Sequence, residues 1–166
     1  MTERDFYVGE DVVYPSHGVG KILKIEDGEI AGSKMQFYII EFPQDNMLLR
    51  IPVSKSTKTG LRHLCSKEEI DQVLAIIKCK AKRGNRMWSR RAQEYETKIN
   101  SGNLLSIAEV IRDLYKNVSG DCSYSERLIF ETAIARVASE ISIVEKSHYD
   151  EILNKIYDLM REKVAA

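Results

Sequence analysis

At 166 residues, with 43% hydrophobic and 30% charged side chains, the chain is long enough for one ordinary domain or two small ones with a real core, which excludes a disordered tail. No apolar run approaches the ~20 residues a membrane helix needs, and the acidic start MTERDFYVGED lacks the apolar stretch of a secretory signal, so a cytoplasmic protein with no membrane contact is expected. The formal net charge is zero, from 25 Lys+Arg and 25 Asp+Glu, so bulk charge alone points to no partner.

The first 65 residues have the two-residue period of β structure. VVYP (12–15), GVGKILKIED (18–27), MQFYIIEF (35–42) and MLLRIPV (47–53) are short runs rich in Val, Ile, Tyr and Phe. Turn-forming residues separate them: Pro15 to Gly18, Gly28 to Ser33, and Pro43 to Asn46. This pattern predicts a small antiparallel barrel. In the fourth run Leu49, Ile51 and Val53 share one face, so Arg50 points the other way. In the HGVGK stretch (17–21), Gly18 and Gly20 fit a turn and a bulge. It is not a phosphate loop: the upstream glycine is missing and a strand follows.

After residue 65 the period becomes helical. SKEE (66–69) is a capping box that opens a helix carrying Ile70, Val73, Leu74 and Ile77. A break at KRGN (82–85) precedes a helix from Met87 to about Asn100, ended by Gly102. A third helix carries the stripe Leu104, Ile107, Ala108, Ile111, Leu114, Tyr115 and Val118. SYSE (123–126) is a second capping box, opening a long helix with Phe130, Ile134, Val137, Ile141 and Val144. The last helix has Ile152, Leu153, Ile156, Leu159 and Met160. The expected fold is therefore α+β in two domains: residues 1–65 a small antiparallel β-barrel, residues 66–166 an all-α bundle.

The neutral total hides a pattern. Residues 1–77 carry 9 basic and 12 acidic side chains, residues 78–98 carry 8 and 2, and residues 99–166 carry 8 and 11. Lys78 to Arg91 hold seven basic residues and no acid, a positive island that attracts polyanions. Its end reads RGNRMWSRR (83–91), with the chain's one tryptophan, Trp88, among arginines. Trp88, Ala92, Tyr95 and Ile99 continue a helical stripe, which favours a core role. Against that, Trp88 lies in the first turn of its helix. Arg86, Arg90 and Arg91 sit at a positively polarised helix start, where folding alone prefers acids. The arrangement makes physical sense if an anion docks there, and both readings of Trp88 stay open at this point.

Catalytic and metal sites have no support. Cys65, Cys79, Cys122, His17, His63 and His148 show no ligand spacing, and three scattered cysteines imply no disulfide framework. No cofactor is implied. An enzyme built on Cys79 or His17 has no partner residues at suitable spacing.

VVYPSHGVGKILKIE (12–26), LLRIPVSKSTKTGLR (48–62), WSRR (88–91) and SGNLLSIAEVIRDLY (101–115), in this order and spacing, resemble the CarD/CdnL family of bacterial transcription regulators. The resemblance spans roughly residues 7–162. It implies a Tudor-like N-terminal barrel that binds the β subunit of RNA polymerase, with Arg50 on the polymerase-facing surface. It implies a helical domain that binds promoter DNA, double-stranded or forked, at the upstream edge of the transcription bubble. There Trp88 would wedge into the minor groove with Arg90 and Arg91 on the flanking backbone, and Lys82, Arg83 and Arg86 complete the basic surface. It implies a non-enzymatic, nucleoid-associated protein, expected to be a monomer, that stabilises the open complex. The first hairpin, KIEDGEIAG (24–32), departs from the pattern, being acidic where some relatives place a basic residue. A protein–protein adapter whose basic patch meets an acidic protein is the alternative that the residues leave open.

Overall fold

The computed structural model describes residues 5–82, 87–118, 120 and 122–165. The chain forms two compact units, Met1–Leu64 and Cys65–Ala166.

The first unit is one antiparallel sheet of β1 (Asp11–Tyr14), β2 (Gly18–Ile30), β3 (Ser33–Phe42), β4 (Met47–Pro52) and β5 (Arg62–His63), in the order β4-β3-β2-β1-β5. The expected barrel does not close. β4 and β5 are the two edges, and β5 has only two residues, enough to pair with Val12 and Val13 of β1 and no more. Between the edges the chain runs through a short 3-10 turn at Val53–Lys55, whose backbone cannot extend a ladder.

Alternation sets the core. Tyr38, Ile40 and Phe42 of β3 point inward with Val12, Ile22, Ile51, Phe6 and Leu61. Each buried aliphatic or aromatic side chain of this kind contributes roughly 1.5–3 kcal/mol. The register shifts between Ile22 and Lys24, where a bulge leaves Leu23 exposed. The bulge is therefore not at Gly20, which pairs regularly with Val12; a Cβ at Gly20 would collide with Ile40 and Phe42 of β3.

The β2–β3 hairpin, which holds KIEDGEIAG, also differs from expectation. β2 continues through Gly28 to Ile30, and the turn is Ala31–Gly32, both with positive φ. Two such residues match the twist of a two-residue hairpin. Gly28 lies inside the strand, paired with Met35, and is glycine there because a Cβ would collide with the Arg50 guanidinium and the edge of the Phe37 ring.

The second unit holds α1 (Lys67–Lys78), α2 (Trp88–Asn100), α3 (Leu104–Val118), α4 (Tyr124–Glu145) and α5 (Tyr149–Ala165). Both serine N-caps form: Ser66 accepts from the Glu69 backbone N–H, and Ser123 from that of Glu126. Apolar stripes of all five helices meet in one core around Ile77, Ile99, Ile111, Leu114, Phe130 and Ile156. Among the described residues no helix is long and apolar enough to cross a membrane.

Candidate nucleic-acid and protein interfaces

Of the sequence-predicted DNA-facing residues, Trp88, Arg90 and Arg91 fall at the start of α2. Met87 is the N-cap, and its side chain makes no capping hydrogen bond. Its carbonyl accepts from the backbone N–H groups of Arg90 and Arg91, at 3.1 Å each, and the first turn holds no acid. A helix start carries about half a positive charge, so Arg90 and Arg91 each cost a few tenths of a kcal/mol there. Among the described residues neither is ion-paired.

Trp88 is half-buried. One side of the residue packs on the core, with its ring 6.3 Å from that of Tyr95 at 50°. Arg91 lies over both rings, its guanidinium carbon 5.6 Å from the Trp88 centroid and 5.8 Å from that of Tyr95. It also donates from Nη2 to the Tyr95 hydroxyl at 3.3 Å. Cation–π contact of this type keeps the guanidinium beside the indole at a worth of about 0.5–1 kcal/mol in an exposed setting. The indole Nε1–H donates to Ser125 Oγ at 3.2 Å, so the starts of α2 and α4 are joined through this ring.

Lys82 is exposed, and its backbone N–H donates to Asp113 Oδ1 at 2.9 Å. Asp113 is held in turn by Arg112 through Nε at 2.8 Å and Nη2 at 3.3 Å, with both side chains largely buried. The hydrogen bond to Asp113 holds the Arg112 guanidinium even more firmly protonated than usual. One end of the basic connection is thus fastened to α3. Arg83 and Arg86 lie outside the described residues.

Sequence reasoning missed three exposed apolar or aromatic groups here. Met87 is 76% exposed, Tyr124, beside Ser125, is 80% exposed, and Leu128 follows one turn along α4. Nothing in linear spacing brings residues 87–88 and 124–125 together, although the SYSE box does place Tyr124 at a helix start.

The second predicted site is Arg50, on the edge strand β4 with its side chain half exposed. Its Cζ lies 4.1 Å from the Phe37 centroid, and its Nε is 3.8 Å from Glu26 Oε2. Leu48, on the same strand face, is 63% exposed. The acidic hairpin therefore supplies the counter-charge to Arg50 within the fold, and an edge strand beside it leaves backbone groups open to a partner.

His17 stacks on Tyr14, at 5.6 Å and 14°, as a turn residue. The Cys79 thiol is exposed and donates to the Ala75 carbonyl. Among the described residues no three His, Cys, Asp or Glu side chains are grouped to hold a metal ion.

Comparison with known proteins gives two family matches in chain order: the CarD-like/TRCF RID domain over residues 6–65 and the CarD C-terminal domain over residues 72–157. YdeB of Bacillus subtilis (strain 168) is 28% identical over 141 residues, 84% of this chain and 92% of that protein. The solution structure of the 72-residue N-terminal domain of Myxococcus xanthus CarD is 30% identical, with a TM-score of 0.32, over 38% of this chain and 84% of that one. With the second family match alone spanning more than half of its residues, the chain belongs to the CarD/CdnL family, transcription regulators that interact with RNA polymerase.

Proposed function

We propose that residues 1–65 bind the β subunit of RNA polymerase through the outer face and edge of the sheet around Arg50, while residues 66–166 bind promoter DNA. Arg90, Arg91 and Lys82, with Arg83 and Arg86, meet phosphates, and Trp88 wedges into the upstream edge of the bubble to stabilise the open complex. The protein acts without catalysis, as is general in this family, in the cytoplasm and on the nucleoid, as a monomer.

The observation that carries this reading is the α2 start: a half-open indole at a helix end without a side-chain cap, flanked by arginines and no acid. Free N–H groups, helix dipole and guanidinium groups there all favour an anion. Lys and Arg contacts to phosphate supply affinity without sequence preference. An apolar wedge that unstacks a base step costs about a few kcal/mol in closed duplex, and less where the junction is already frayed. The difference is a preference for the open state, and each ~1.4 kcal/mol of it shifts the open-to-closed ratio tenfold. Tethering through polymerase raises local concentration, so weak DNA binding suffices.

Titration of the protein with forked and with fully paired promoter DNA tests the reading. Tighter binding to the fork, lost in Trp88→Ala, supports it. Equal binding to both forms removes the wedge. Absence of DNA binding together with capture of an acidic protein favours the adapter reading instead.

A further inference from the structure

The indole of Trp88 is the first member of a chain of hydrogen bonds. Its Nε1–H donates to Ser125 Oγ at 3.2 Å. Ser125 Oγ lies 3.2 Å from Ser123 Oγ, and Ser123 Oγ lies 3.4 Å from Glu126 Oε1. Ser123 Oγ also accepts from the Glu126 backbone N–H at 3.3 Å.

Hydrogen-bonding capacity fixes the direction. An indole N–H only donates, and an ionised carboxylate only accepts. Ser125 must therefore accept from the indole, which leaves its single O–H to reach Ser123. Ser123 accepts from Ser125 and from the Glu126 N–H, filling two lone pairs, and gives its own O–H to Glu126 Oε1. Every group along the path is used within its capacity. The path ends on a charge, and hydrogen bonds in such a chain polarise one another. Glu126 Oε2 is buried and has no partner among the described residues, so Oε1 is the carboxylate's anchored oxygen.

We propose that Ser125, backed by Ser123 and Glu126, is the positioning residue for the tryptophan: the N-cap of α4 sets the orientation of the ring that α2 presents. This rests on the DNA-wedge reading above. The cap of α4 needs only the Ser123 hydroxyl and the Glu126 backbone N–H. Ser125 is not required for the cap, and its hydroxyl is the link between cap and indole. A ring already held in one orientation loses less side-chain freedom when it enters a base step, which strengthens binding without any new contact to DNA.

The test uses the full-length protein, whose one tryptophan makes its fluorescence specific to this ring. Ser125→Ala keeps a good helix former in the first turn of α4. Ser125→Thr keeps the hydroxyl. Two readouts are taken on each variant: time-resolved anisotropy with acrylamide quenching of Trp88, and the ratio of affinity for forked over fully paired DNA.

Ser125→Ala is expected to raise local ring motion and quenching and to lower the fork-to-duplex ratio roughly two- to tenfold, the worth of one hydrogen bond. Ser125→Thr is expected to restore both, and the salt dependence of DNA binding stays as in the parent in each. Unchanged anisotropy and quenching in Ser125→Ala overturns the positioning role outright. Changed fluorescence with a parental ratio overturns its functional part, provided Trp88→Ala does lower the ratio. If Trp88→Ala also leaves the ratio unchanged, it is the wedge reading that fails, and the functional role of Ser125 fails with it.

Discussion

Two helix starts in the same unit meet at one hydrogen bond and obey opposite rules. α4 begins with Ser123 accepting from the Glu126 N–H and with an acid in its first turn. α2 begins with Met87, which offers no side-chain cap, and with Arg90 and Arg91 where folding prefers acids. The first is built for stability. The second forgoes both contributions, and the deficit lies where the chain's tryptophan and two of its arginines stand together. Places where a sequence departs from the rules that stabilise it are the places to look for function.

The two helix starts differ most at the arginines. Changing both Arg90 and Arg91 to Glu makes the start of α2 resemble that of α4. DNA affinity is expected to fall roughly 100-fold or more near physiological salt, by removal and reversal of phosphate contacts. At Arg90 the helix should gain a few tenths of a kcal/mol, whereas at Arg91 that gain is outweighed by loss of the contacts with the Trp88 and Tyr95 rings, worth about 0.5–1 kcal/mol, so overall stability should change by less than about 1 kcal/mol. An electrophoretic titration and a melting curve on the same sample check both expectations. In the parent protein, four to six phosphate contacts should give a log affinity against log salt slope of roughly −4 to −5.

Trp88→Ala comes next. A fully buried tryptophan truncated to Ala costs about 3–5 kcal/mol. Because this ring is half-buried, with one side on the core and Tyr95, about 1–2 kcal/mol is expected by the same reasoning. Chemical denaturation resolves the two cases.

Exchanging the caps sharpens the contrast further. Ser123→Ala should cost about 1 kcal/mol. Met87→Ser should gain roughly 0.5–1 kcal/mol by the same rule, while leaving DNA affinity within about threefold because no charge changes. A Met87→Ser variant with no gain in stability would mean that the start of α2 is already satisfied by other groups.

The sheet offers a control of comparable size. Arg50→Glu loses an exposed ion pair and a cation–π contact, and places like charge against Glu26, for a cost of about 0.5–1.5 kcal/mol. It should weaken capture of polymerase while leaving the salt slope for DNA unchanged. A parental level of capture would remove Arg50 from the polymerase-facing surface.

Local patterns carried much of the fold. The SKEE and SYSE boxes mark the starts of α1 and α4, and strand alternation turns Ile51 inward and Arg50 outward. Closure of the sheet was not legible, because a two-residue strand such as β5 has no period to read and barrel closure depends on pairing between its ends. Gly28 looked like a turn because its reason for being glycine is cross-strand: Arg50 and Phe37 occupy the space of its missing side chain. At the candidate interface, the arginines and the first-turn position of Trp88 were visible as charge and spacing. Ser125 was not, since it meets Trp88 from 37 residues away, and neither was Asp113, which meets Lys82 from 31 residues away. Contacts of that separation depend on helix packing, which spacing within one helix does not encode.

The proposed role of Trp88 is to stabilise the open bubble. The measurement closest to it is the decay of polymerase–promoter complexes after addition of a competitor, with the parent protein and with Trp88→Ala at saturating concentration. The parent protein should prolong the lifetime, and Trp88→Ala, folded and still bound to polymerase, should lose most of that gain. A parental lifetime with Trp88→Ala, accompanied by a melting drop as large as that of a fully buried tryptophan, would place the ring in the core and contradict the wedge.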